Sequence, residues 1–326
     1  MQSSLTIVTY HYIRELPYTR YPKIKGLLVS QFKEQLAYME KYYQFISIED
    51  CINSIYFDGK LPSNAILLTF DDAYIEHYMS VFPILEERGI QGCFFPPGKA
   101  ILKHEILDVN KIHFILAQTS NIHNLLSDVY NCLDKYRLEY SLESNQFYFS
   151  KLAHANRFDS KEIIFVKRLL QVELEENLRN RITNELFKKY ITLDEEAFSR
   201  ELYMSMDQLK HMVRNGMYIG SHGYDHYHLN TLSPEKQEQE IDLSLEFLKK
   251  VGQQTDNWVM CYPYGAYNSS LTEILKKKHC KLALTTKVGI ASLSKDNALT
   301  LERLDTNDLP KAVNAEMNLW TKKVLC

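Results

Sequence analysis

The chain has 326 residues, 45% hydrophobic and 24% charged, the balance of an ordinary globular protein long enough to bury a large core. Its formal net charge is −3 and no long basic run occurs, which removes the electrostatic case for a nucleic-acid partner. No apolar run approaches the roughly 18–20 residues of a membrane span, and MQSSLTIVTYHYI lacks the basic and apolar regions of a secretory leader, so a cytoplasmic protein is expected.

LTIVTYHYI reads as a first buried strand. SQFKEQLAYMEKY follows as a helix, with Phe32, Leu36 and Met39 at helical spacing and Ser30 as its N-cap. FISIEDCINSIYF reads as a short strand and a helix. After the turn LPSN comes AILLTF, a continuous apolar run of the kind a buried parallel strand shows. HYMSVFPILEERG is a helix closed by Gly89, and IQGCFFP another strand. Strand alternating with helix predicts a parallel α/β architecture.

The rhythm breaks between residues 99 and 204, where the patterns are mainly helical. KIHFILAQ and SNIHNLLSDVYNCLDKY are candidates, and KEIIFVKRLLQVELEENLRNRITNELFKKY is the strongest. A stretch this long exceeds an ordinary connection and reads as a helical insertion. The alternation resumes with SMDQLKHMVRNG, capped by Ser205 and ended by Gly216, and with the strand and loop MYIGSHGYDHYHL. SPEKQEQEIDLSLEFLKKVG is a helix with Ser233 as N-cap, Pro234 at its first position and a core stripe of Ile241, Leu245 and Leu248. WVMCYPYGAYN is strand then loop, SLTEILKKKHC a helix and KLALTT a late strand. The six cysteines (51, 93, 132, 261, 280 and 326) form no CxxC pair, which argues for reduced thiols rather than a structural zinc knuckle.

Three places carry candidate chemistry. Asp71 and Asp72 follow AILLTF directly, and active sites of α/β sheets gather at the carboxyl ends of strands. Alternation sends the two side chains apart, so one can bind a metal while the other reaches a water. His222 and His226 stand four apart at the end of another strand and can converge on one ion. His228 is a competing choice, because it shares a face with His226 if the strand continues. Two histidines and one carboxylate leave an open coordination position, as catalytic zinc requires, and the other carboxylate is then free to act as general base. A dication would also relieve the repulsion between adjacent acids. The loop YPYGAYN can turn a backbone N–H toward a developing oxyanion.

In order, LLTFDDAY, IGSHGYDHYHL and CYPYGAYN resemble the polysaccharide deacetylase family, also called the NodB-homology family or carbohydrate esterase family 4. KLALTT with LTLERLD is similar to its tail, and TYHYI to the first strand of one large branch. The resemblance covers about residues 5–99 and 205–308. It implies an α/β fold, a distorted parallel (β/α) barrel formed by residues 1–98 and 205–326, with 99–204 as the mainly helical insertion. It also implies metal-dependent removal of an acetyl or related acyl group from an N-acylated amino sugar, in surface-polysaccharide biosynthesis. Asp71 would be the base. Asp72, His222 and His226 would hold the divalent metal, usually zinc, and the backbone N–H of Tyr264 would help hold the oxyanion.

The chain departs from the family pattern at several positions. Ala73 stands where a glycine is usual, Gly223 where a hydroxyl residue is usual, and the region of Cys261 where an arginine often opens the third motif. No histidine follows His279, so the usual late general acid is missing. His11 is the expected substitute if the first and last strands adjoin in a closing barrel, and Arg303 or Asp305 would supply part of the missing support. The partner would be an acylated amino sugar or oligosaccharide precursor, with the insertion either capping the site or forming an oligomer contact.

Two other readings use the same residues. A carbohydrate-binding or assembly scaffold would explain the missing histidine but needs neither the acids nor the histidine pair. An aspartyl-phosphate protein would use magnesium and leaves His222 and His226 unexplained.

Overall fold

The computed structural model describes residues 4–155 and 159–325; Cys326 lies outside them. Two compact units appear. One comprises the described residues of Met1–Glu15, Lys25–Glu105 and Ser199–Cys326, the other Leu16–Ile24 and Ile106–Phe198. Residues 99–105 and 199–204, read from the sequence with the insertion, thus belong to the first unit. Leu16–Ile24, read with the barrel, belongs to the second. Tyr21 supplies the reason: its ring centroid lies 4.9 Å from that of Phe114 and 5.8 Å from that of Phe198.

The first unit is a curled, mainly parallel sheet clothed in helices. Among the described residues its strands are β1 (Ser4–Tyr10), β2 (Gln44–Phe45), β3 (Ala65–Asp71), β4 (Gly92–Phe95), β5 (Tyr218–Ile219), β6 (Val259–Cys261), β7 (Leu282–Val288), β8 (Ala291–Ser292) and β9 (Leu301–Asp305). The order across the sheet is β5-β4-β3-β1-β9-β7-β6. β2 lies parallel beside β3, and β8 runs antiparallel to β1. The first and last strands therefore adjoin, with Val8 opposite Leu304 and Thr9 opposite Asp305. Among the described residues a single parallel rung brings the two ends of the sheet together: Ser221 N–H donates to Val259 O (3.0 Å) and Cys261 N–H to Ser221 O (2.8 Å). This is the expected distorted parallel (β/α) barrel.

Every residue of β3 is buried, which is why AILLTF shows no polar alternation. Alternation is still present in chemistry. Ile7, Leu67, Leu284 and Leu301 belong to one buried apolar cluster. Two residues further along their strands, on the same face, come Thr9, Thr69 and Arg303, and then Asp71. The barrel interior thus passes from apolar to polar toward the carboxyl ends of the strands.

Helix boundaries follow local chemistry. Ser205 and Gln208 form a reciprocal cap on Met206–Arg214, and the Ser233 side chain accepts from Lys236 N–H at the start of Pro234–Val251. Ser30 is not a cap: its helix spans Val29–Tyr42, and Gln31 Oε1 accepts from Leu28 N–H (3.3 Å), so the chain enters the helix before Ser30 is reached. HYMSVFPILEERG divides into a widened turn, His77–Val81, and a helix, Phe82–Glu87. Pro83 has no N–H to give residue 79, and its ring would crowd that carbonyl.

The second unit is helical. Asp108–Gln118, Ile122–Tyr136, Asn145–Leu152, Lys161–Arg168 and Glu176–Tyr190 are its main described helices. The long run read from residue 161 breaks at Leu174, whose extended ψ of 156° ends the widened turn Leu169–Glu173. Phe114, Phe187 and Phe198 pack edge to face in its core, and the nearly buried Lys111 is held by Glu195 at 2.7 Å.

Candidate active site

Asp71 ends β3 on the interior face and is 1% exposed. The Arg303 guanidinium grips it with two bonds, Nη1 to Oδ1 (3.1 Å) and Nη2 to Oδ2 (2.9 Å). Thr9 Oγ1 and Cys261 Sγ each donate to Oδ2 at 3.3 Å. Burial pushes the Asp71 carboxyl up, but the charge and hydrogen bonds of Arg303, together with His222 and His11, outweigh it and hold Asp71 well below the usual carboxylate range. His11, at the end of β1, places Nε2 3.9 Å from Asp71 Oδ2 with its side chain half exposed.

At Asp72 the backbone turns left-handed, with φ of 72°, and Ala73 follows at 57°. Such angles disfavour side-chain-bearing residues and mark the strained, over-determined backbone common at functional sites. Asp72 is turned by Tyr74, whose hydroxyl donates to Oδ2 at 2.7 Å. Burial and the Asp72 charge keep that phenol protonated, so it is a fixed donor. Asp72 Oδ1 is then left facing His222 Nε2 and His226 Nε2, each 3.5 Å away. This oxygen is fully buried and, among the described residues, has no hydrogen-bond partner.

The two imidazoles could serve as ligands. His222 Nδ1 lies 2.8 Å from Cys261 O, a carbonyl that can only accept, so Nδ1 carries the proton and Nε2 keeps its lone pair. Burial, with His222 beside it, pushes His226 down to about 3 against the pull of Asp72, so His226 is neutral. A neutral imidazole cannot form an ion pair with Asp72, and 3.5 Å is long for a hydrogen bond. The spacing instead matches two donors on one metal: four-coordinate zinc with bonds of 2.0–2.1 Å separates neighbouring ligand atoms by about 3.4 Å. Donor types, separations and the unpartnered oxygen all fit a divalent cation.

His228 is not in this group. Its ring stacks on that of Tyr264 at 3.9 Å, nearly parallel at 6°, and Tyr264 in turn meets His226 at 4.7 Å. Tyr264 has φ 57° and ψ 8°, a kink between Pro263 and Gly265 that turns its peptide out of the helical path. Arg303 is drawn into the site, whereas Asp305 is not. Its Oδ1 accepts from Asn307 N (2.9 Å) and Nδ2 (2.6 Å), which caps its own turn.

The structure brings together Asp71, Asp72, His222, His226, His11 and Arg303, all named from the sequence, and adds Tyr74 and the Cys261 thiol and carbonyl, which were not. Tyr74 sits two residues after Asp72, close enough to have been read as its donor. Cys261 had no such signal, because its role depends on the rung that joins the sheet's ends.

The polysaccharide deacetylase family model matches residues 58–155 and 179–283. The putative polysaccharide deacetylase YxkH of Bacillus subtilis (strain 168) is 32% identical over 98 residues, 30% of this chain and 34% of that protein, so the chain spans about a third of this curated relative's length. Two solved structures share the fold across nearly the whole chain. The Streptococcus pyogenes deacetylase PplD in complex with acetate has a TM-score of 0.59 at 18% identity, covering 100% of this chain and 98% of that one. IcaB from Ammonifex degensii has a TM-score of 0.55 at 17% identity, covering 99% and 96%. With the family model spanning more than half of the sequence, the chain is a member of the polysaccharide deacetylase family.

Proposed function

We propose that the protein removes an acetyl group, or a related small acyl group, from an N-acylated amino sugar of a surface polysaccharide or its precursor, with a divalent cation, zinc by preference, at Asp72, His222 and His226. One observation carries this reading: the buried, unpartnered Asp72 Oδ1 equidistant from two lone-pair imidazole nitrogens. Family membership supports the reaction class, and the acetate complex reported for the PplD structure is in keeping with it.

A cation held there would supply positive charge against the developing oxyanion and make a nearby water more acidic. The rest falls to the chain. Asp71, kept ionised by Arg303, accepts the proton of the attacking water. Arg303 and the Thr9 and Cys261 donors hold that carboxylate in one orientation. The Tyr264 backbone N–H supports the oxyanion. His11, half exposed and 3.9 Å from Asp71, hands a proton to the departing amine.

The test is acetate release from a panel of N-acetylated amino sugars, free, nucleotide-linked and lipid-linked, before and after chelation and after zinc is restored. Chelator-sensitive release supports the reading. Stoichiometric metal with no turnover of any substrate refutes it and favours a binding scaffold.

A further inference from the structure

The loop from His222 to His226 carries two of the three proposed metal ligands, yet it lacks the hydroxyl residue usual after the first histidine. Gly223 stands there with φ of 71°, and a Cβ on it would meet Pro263 Cγ at 3.3 Å. Something else must hold the loop. The helix Pro234–Val251 turns a carboxylate toward it: Glu240 is buried on the helix's core face, beside Gln237 and Ser244. Its Oε2 accepts from Tyr224 N–H (3.1 Å) and Asp225 N–H (3.0 Å), the two amides between Gly223 and His226. The carbonyl side is fastened separately, by Gly98 N–H to Gly223 O (3.4 Å), Lys99 N–H to Tyr224 O (2.8 Å) and the Lys99–Asp225 ion pair (2.8 Å). Gly223 N–H is held by Ser221 Oγ (3.2 Å), and one Glu240 carboxylate oxygen satisfies both inner amides between the left-handed turns at Gly223 and His226.

We propose that Glu240 is the positioning residue of the metal site, a latch that holds the His222–His226 loop in its ligand-ready form in place of the missing hydroxyl. It touches no ligand and acts through the loop's backbone. Groups that bond directly to a metal ligand are commonly worth about 10–100-fold in metal affinity, and the same scale is expected for a latch on the loop that carries two ligands. The metal half of the inference rests on the proposed zinc reading; the latch itself does not.

The experiment compares wild type, E240A and E240Q by zinc affinity, through competition with a chromogenic chelator, and by hydrogen exchange of the loop amides in the apo-protein. E240A is expected to bind zinc about 10–100-fold more weakly and to lose protection at Tyr224 and Asp225. E240Q keeps an oxygen able to accept both bonds and should restore protection and affinity to near wild type. Unchanged protection in E240A, or E240Q no better than E240A in exchange, overturns the latch. Should wild type bind no zinc while exchange behaves as expected, the metal reading falls and the latch stands.

Discussion

Arg303→Met is the sharpest perturbation of the site. It keeps an apolar stem in the barrel but removes the guanidinium that grips Asp71 with bonds of 3.1 and 2.9 Å. At 2.9 Å and an effective dielectric of about 20, two unit charges attract by about 6 kcal/mol, an upper figure that the desolvation of both groups offsets. Removing one partner of a buried pair typically destabilises by about 3–5 kcal/mol, because the other charge is stranded. The Thr9 and Cys261 donors remain, so the lower half of that range is expected. Urea unfolding followed through the fluorescence of Trp258, fully buried in the barrel unit, measures it. Combining R303M with D71N removes both charges and should recover about 2 kcal/mol or more relative to additivity. Asp71 has a depressed folded pKa, so its stabilisation is full above the unfolded value of about 3.9 and is lost as pH falls through the folded value. Without Arg303, burial raises the folded pKa, and both acid unfolding and the acidic limb of the rate profile should move to higher pH. A loss under about 1 kcal/mol, or strict additivity of the two substitutions, would refute the claim that this pair organises the site.

Other outcomes follow from the same geometry. Zinc at about 100 times its dissociation constant should stabilise the wild-type protein by roughly 2.7 kcal/mol, and D72A, H222A or H226A should abolish that gain in a thermal melt. H11A should lower acetate release by about 10²–10⁴-fold with zinc content unchanged; near-wild-type turnover would remove His11 from proton donation. G223S forces a side chain into a left-handed turn against Pro263 and should lower stability by about 1–2 kcal/mol in a urea melt, even though a hydroxyl residue is usual in the family at that place.

Where sequence reading succeeded, one periodicity or one spacing decided the matter. AILLTF is buried on both faces and ends in acids, so both the strand and the site's position were legible before any coordinate. SPEKQEQEIDLSLEFLKKVG announced its own start through Ser233 and Pro234. Its core face was misjudged. Leu245 is only partly buried, while Glu240, Ser244 and Phe247 turn inward with Ile241 and Leu248. An acid on a buried face contradicts hydropathy unless it has work to do, and what Glu240 accepts from is two amides on a loop that no pattern ties to it. Arg303 and Asp305 looked equivalent, two residues apart on one strand. They part because β9 ends at Asp305 and the carboxylate folds back on its own turn. Tyr21 shows the same limit: aromatic contacts to Phe114 and Phe198 recruit a segment that adjacency in the chain had assigned elsewhere.

The rung between Ser221 and Met260 is a seam of one link in an otherwise well-laddered sheet. His222 follows Ser221 directly, and its imidazole hydrogen-bonds the carbonyl of Cys261, which follows Met260. Fraying at this zipper tooth would therefore swing an imidazole away from Asp72 and release the thiol that steadies Asp71, in a single event. Breathing of the cylinder and the loss of catalytic competence become one equilibrium, so exchange of the Ser221 and Cys261 amides should speed up as the fraction of molecules able to turn over falls.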